Sequence, residues 1–166
     1  MLIAQITDIH LGFDPDDPDE LNQQRLDRVV RHLCEMTPPP DLLLATGDLS
    51  DRGDLASYRR LKESLARCPF PVLCCVGNHD DRENFSQEFP EAKLADGFVQ
   101  YEHEAGELRI LFLDTLEAGR HGGSFCDTRA RWLRARLAEK PSAKTLNFCR
   151  PGEARAVVNI GGIGNV

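Results

Sequence analysis

The stretch Asp41-Leu42-Leu43-Leu44-Ala45-Thr46-Gly47-Asp48 decides the fold: a short apolar run fit for a buried strand that stops at a polar Gly-Asp corner. The same design occurs twice more. Residues 2–7 form an apolar run that stops at Asp8, and residues 71–76 run into Gly77-Asn78-His79-Asp80. Helical patterns separate the runs. Residues 21–36 place Leu26, Val29, Val30 and Leu33 on one face, and Pro38, Pro39 and Pro40 end that helix. Residues 54–67 place Tyr58, Leu61 and Leu65 together, and an acidic, proline-containing loop fills 14–20. Strands alternating with helices predict an α/β domain with a largely parallel central sheet. Farther on, the sequence predicts a short helix and strands over 98–104 and 108–114. A glycine-rich loop then leads to a helix capped by Asp127 and reaching Glu139.

Length and composition bound the function. A chain of 166 residues, 41% apolar and 28% charged, holds one soluble globular domain and hardly two. No apolar run approaches the ~18 residues of a membrane span, and the N-terminus carries no signal-peptide pattern, so a cytoplasmic protein without a membrane partner is expected. The net charge of −7 argues against a nucleic-acid polymer as partner. An acidic protein acting on phosphate esters needs local positive charge, and bound metal is a ready source. The six cysteines show no paired CxxC spacing and are expected to be reduced thiols.

Three successive strands end in metal-compatible donors: Asp8 and His10, then Asp48, then Asn78 and His79. In open α/β sheets, sites form beyond the carboxyl ends of the strands. Asp8 and His10 can reach one cation, Asp48 is placed to bridge two, and the Asn78 amide offers a neutral oxygen. Oxygen and imidazole donors without thiolate suit manganese, iron, zinc, cobalt or magnesium. Two such ions ~3.5–4 Å apart would serve an in-line attack on phosphorus. Each motif alone reads equally well as a cap or turn; the ordered set of three is what points to metal.

Asp8-x-His10, Gly47-Asp48-Leu49-Ser50-Asp51-x-Gly53 and Gly77-Asn78-His79-Asp80 resemble the first three motifs of the calcineurin-like metallophosphoesterases. The extension through Asp81-Arg82, Leu111-Phe112-Leu113-Asp114-Thr115, Gly122-Gly123 and Trp132-Leu133 resembles the branch of class III cyclic-nucleotide and glycerophosphodiester phosphodiesterases. The resemblance implies an α/β/β/α sandwich and hydrolysis of a small phosphodiester by a metal-bound hydroxide, without a covalent enzyme intermediate. It implies that Asp8, His10 and Asp48 hold one divalent metal, and that Asp48 and Asn78 hold a second. His79 would stand by the phosphate, Asp80 would orient His79, and Arg82 would steer the substrate phosphate or be a plain surface arginine.

The pattern then breaks. The family's later motifs supply three more histidines, and this sequence has none after His121. His32, His103 and His121 are expected to be structural or solvent-exposed. Residues 1–143 are thus expected to form a partial phosphoesterase domain, truncated before the C-terminal half of the second sheet. Residues 144–166, ending Ala156-Val157-Val158-Asn159-Ile160-Gly161-Gly162-Ile163-Gly164-Asn165-Val166, resemble a strand-and-turn segment of anhydro-N-acetylmuramic acid kinases. An inactive metal-binding remnant or fusion product stays open as the alternative, as does a homo-oligomer in which a partner copy supplies ligands. Cys149-x-x-Gly152-x-x-Arg155 has the spacing of a cysteine-phosphatase loop, but it leads into a strand pattern rather than the helix that such a loop needs.

Overall fold

A computed structural model describes residues 1–139, except 93 and 107, together with the backbone of 158–160. Three parallel strands form its base: β1 (Ile3–Ile6), β2 (Leu42–Thr46) and β3 (Val72–Cys75), side by side in that order. Ile3 pairs with Leu42 and Leu43 with Val72. Every residue of β2 is buried, as its unbroken apolar run requires of a central strand. Parallel neighbours need crossovers, which α1 (Leu21–Glu35) and α2 (Leu55–Leu65) provide. Leu26, Val30 and Leu33 form the buried stripe of α1; Val29, expected among them, lies on its flank and is exposed. The Asp54 carboxylate caps α2 by accepting from the Ser57 amide at 2.9 Å, and Tyr58, Leu61 and Leu65 face the core.

A second sheet forms from the hairpin β6 (Tyr101–Ala105) and β7 (Leu108–Leu113), after α3 (Arg82–Glu88) and the small pair β4 (Leu94–Ala95) and β5 (Phe98–Val99). The strand expected over 98–104 is therefore two pieces, parted at Gln100. The Val99 amide donates to the Asp114 carboxylate at 2.9 Å instead of to a sheet partner. The helix α4 (Asp127–Glu139) begins on Asp127 itself, and the Cys126 carbonyl accepts from the Ala130 amide at 2.9 Å, so the cap falls one residue earlier than expected. Residues 158–160 form β8, parallel to β7 with Leu111 opposite Val158. The remainder of the segment 144–166, including Cys149 to Arg155, lies outside the described residues. The sheets meet where the Tyr101 hydroxyl, its ring stacked on Phe112 at 4.4 Å, donates to the Cys74 carbonyl at 2.6 Å.

Two buried carboxylates hold the loops above this frame. Asp114, fully buried at the end of β7, takes the Arg82 Nε at 2.6 Å on one oxygen and a second guanidinium nitrogen at 2.8 Å on the other. Arg82 also lies over the Phe98 ring at 5.2 Å and donates to the Leu116 carbonyl. Its guanidinium thus ties α3 to the end of β7 and is no loose surface group. Asp80 likewise differs from expectation. Its carboxylate accepts from the amides of Leu49 (3.2 Å), Ser50 (3.0 Å) and Gly77 (2.7 Å) and from the Tyr58 hydroxyl (3.0 Å), and no hydrogen bond joins it to His79. Asp80 clasps the loops after β2 and β3 to α2.

Arg82→Ala removes the bidentate partner of the buried Asp114 carboxylate, leaving it Arg129 at 3.8 Å and the Val99 and Leu116 amides, and should destabilise the fold by about 1.5–3 kcal/mol in urea unfolding, with Arg82→Lys recovering only part. Burial pushes the Asp80 carboxyl up to about 6 although its four hydrogen bonds oppose the rise. The folded chain therefore binds this proton more tightly than the unfolded chain, whose value is near ~3.9. The contribution of this group to stability is full below that value and is lost as pH rises through the folded one. Unfolding free energies of the wild type relative to Asp80→Asn should decline between about pH 4 and pH 6.

Candidate metal centre

The ladder between β1 and β2 continues past the strand ends. The amide of Asp8 donates to the Gly47 carbonyl at 3.2 Å, His10 to Asp48 at 2.9 Å and Leu11 to Leu49 at 3.1 Å, and the Asp51 amide returns to Leu11 at 2.8 Å. Holding two loops this close bends the backbone into the left-handed region at Asp8 (φ 55°), His10 (φ 51°) and Asp48 (φ 49°). Among the described residues, Asp96 is the only other non-glycine with positive φ. The β3 corner closes on the same point because Gly77 has no side chain: a Cβ there would lie 2.3 Å from Asp48 Oδ1 and 2.4 Å from its amide nitrogen. The His79 amide then donates to Asp48 Oδ1 at 3.1 Å.

The side chains converge where the backbone does. Donor atoms of His10, Asp48 and His79 lie within 4.8 Å of one another, with His10 Nε2 3.9 Å from Asp48 Oδ2 and the two imidazoles edge to face at 4.6 Å. Asp8 stands on the wall of the same cleft, its carboxylate accepting from the Thr7 hydroxyl at 2.7 Å. Asn78 is half-buried at the β3 corner. Asp48 is buried, while both histidines are partly open to solvent.

Asp51, part of the motif at 47–53 and without a role in the sequence reading, organises both imidazoles. Its Oδ1 lies 3.1 Å from His10 Nδ1, and its backbone carbonyl lies 3.0 Å from His79 Nδ1. A carbonyl only accepts, so His79 carries a proton on Nδ1 and turns Nε2 outward. A carboxylate or carbonyl on one imidazole nitrogen fixes the tautomer and leaves the other for a ligand. Spacing offered a faint signal, since Asp51 follows Asp48 by three residues in the same corner. His121 belongs to a loop that sequence order put too early to matter. It is exposed as expected, yet its ring lies 5.8 Å from that of His79.

These residues open into a cleft of about 1150 Å³ whose far side carries Phe13, the acidic run Asp14–Asp17, Arg25 and Arg52. With Asp8 and Asp51 on the near side, the carboxylates outnumber the arginines. The donor set of carboxylate, amide and imidazole without thiolate fits a hard or borderline divalent cation.

The chain matches the family model described as calcineurin-like phosphoesterase over residues 1–148. It is 30% identical to a probable glycerophosphodiester phosphodiesterase of Arcobacter nitrofigilis over 89% of this chain and 56% of that protein. It is 32% identical to a probable cyclic nucleotide phosphodiesterase of Rhodopseudomonas palustris, covering 88% and 55% respectively. With a 3',5'-cyclic adenosine monophosphate phosphodiesterase of Pseudomonas aeruginosa it shares 32% identity, over 81% of this chain and 48% of that one. The chain thus spans about half the length of these relatives. Motif order, the two-sheet α/β architecture and the family match agree, and the chain belongs to the calcineurin-like phosphoesterase family.

Proposed function

We infer that this chain carries the metal-binding part of a phosphodiesterase site acting on cyclic nucleotides or other small phosphodiesters. One observation carries the inference: the donors Asp8, His10 and Asp48 occupy left-handed backbone positions that glycine would adopt without strain. Asp96 in the β4–β5 turn has the same backbone singly, whereas these three stand together at one cleft. Asp8, His10 and Asp48 would hold one divalent cation, and Asp48 with Asn78 a second, drawn from manganese, iron, zinc or cobalt. When bound, such ions supply positive charge for the phosphoryl oxygens and a water deprotonated near neutral pH.

The chain's own groups do the rest. Asp51 keeps the His10 ring turned toward Asp48. The acidic cleft repels a phosphodiester anion until cations offset it, which makes substrate binding depend on metal. His79, anchored through Nδ1, presents Nε2 to hold charge on the phosphate or to protonate the leaving oxygen. His121 adds a second imidazole on the same side. The substrate class draws support from the names of the relatives, a glycerophosphodiester phosphodiesterase and two cyclic nucleotide phosphodiesterases. No helix among the described residues is long and apolar enough to cross a membrane, and a soluble substrate in the cytoplasm suits the reading.

The closeness of His79 to His10 and Asp48 favours one second reading, a single-ion site with His79 as the third ligand. Metal counting separates the two. The chain loaded with manganese should retain about two ions and hydrolyse bis(p-nitrophenyl) phosphate. His79→Ala should keep its metal and lose roughly 10²–10⁴-fold in rate. Loss of metal in that variant would instead make His79 a ligand. Wild-type hydrolysis no faster than that of His79→Ala would end the catalytic reading and leave a metal-binding fragment. Asp51→Ala, by freeing the His10 ring, should weaken manganese binding about 10–100-fold in calorimetric titration.

A further inference from the structure

Away from the cleft, two cysteines from distant parts of the chain come near one another on the rim of the core. Cys34 lies in the last turn of α1, and Cys68 follows the end of α2 on the way into β3. The Cys34 thiol reaches the carbonyl of Arg67, the residue just before Cys68, at 3.6 Å, and, with burial, its nearness helps to push the Cys68 thiol up. Both residues are half-buried and pack on the rim of the core, so their backbones are held while solvent keeps access to the sulfurs. A disulfide needs Cβ atoms ~3.5–4.5 Å apart, and the Cys34 sulfur already stands against the backbone one residue before Cys68.

We propose that Cys34 and Cys68 form a redox modification site, a dithiol that closes to an intramolecular disulfide under a peroxide. The Cys34 thiolate attacks a peroxide oxygen, the O–O bond breaks, and Cys34 becomes a sulfenic acid as hydroxide leaves. Cys68 then attacks that sulfur. The S–S bond forms, the S–O bond breaks, and the oxygen departs as water with the Cys68 proton. Two thiols and one hydrogen peroxide give one disulfide and two waters, with two electrons passing from sulfur to oxygen. Burial and the neighbouring Cys34 push the Cys68 thiol up to about 11, which keeps it protonated at neutral pH and suits it to the second, resolving step.

The link would close a loop that carries β2, Asp48, Asp51 and the Tyr58 hydroxyl that holds Asp80. Cys126 is the natural internal control. Hydrogen bonds from Arg129, chiefly its backbone amide, hold its thiol down at about 7, so it should react early, outside the Cys34–Cys68 pair. Cys74 is buried, its thiol raised well above the ordinary range, and should stay untouched.

The test treats the reduced, folded chain with hydrogen peroxide, alkylates the remaining thiols and maps peptides under non-reducing conditions. A peptide joining Cys34 to Cys68 is expected, absent in Cys34→Ser and Cys68→Ser and retained in Cys126→Ser. The oxidised wild type should melt several degrees above the reduced form, and the two serine variants should show no such shift. Recovery of Cys34 and Cys68 as separately alkylated residues overturns the proposal. So does a link that forms equally well in urea, because that reports random pairing rather than the folded contact.

Discussion

A single buried carboxylate, that of Asp80, sets where everything functional stands. Loops beyond parallel strands have no ladder of their own, and their amides must find acceptors or stay exposed. Asp80 gathers one amide from the β3 corner, two from the β2 corner and the Tyr58 hydroxyl on α2. Tyr58 in turn accepts from the Asp81 amide at 2.8 Å. Removing this side chain from the network would leave several buried donors unpaired at once, which costs more than the bonds themselves contribute. The convergence of Asp48 and His79 follows from this clasp and from the bare backbone of Gly77. The cleft chemistry therefore rests on a residue with no place in the cleft.

Much of this was legible in the sequence, for reasons that differ by element. The strands were read from short apolar runs bounded by turn residues, and burial of the whole of β2 is what such a run demands. The donors were read because Asp, His and Asn at three consecutive strand ends have no packing explanation. The expected strand breaks at Gln100, whose amide turns back to the Phe98 carbonyl at 2.8 Å, while the Asp114 carboxylate, fifteen positions beyond Val99, takes the Val99 amide. Pattern reading has no access to that competition. Arg82 looked like a phosphate ligand by its place after the Gly-Asn-His-Asp motif, and only the position of Asp114 revealed its partner. Asp51 was quoted and passed over because its acceptor role on two rings exists only once β1 and β3 lie on either side of it.

The second sheet adds a different lesson about continuity. The stretch 144–166 reads as foreign by composition, yet residues 158–160 lie parallel to β7 in regular register. Backbone pairing asks little of side-chain identity, so a strand of unrelated ancestry can occupy an edge that β7 presents. Whether the segment is alien and whether it pairs are separate questions, answered by different physics.

The left-handed residues at the strand ends have an evolutionary consequence. Each of Asp8, His10 and Asp48 sits where glycine would relieve strain of about 1–3 kcal/mol. Mutational drift toward glycine at these positions would be rewarded with a firmer fold at the very step that strips out a donor. Stability alone would thus erode the site, and only a benefit from what the three side chains bind would oppose that drift. The backbone here works as a record of use: retained strain marks positions where the benefit of the side chain has outweighed the ease of losing it.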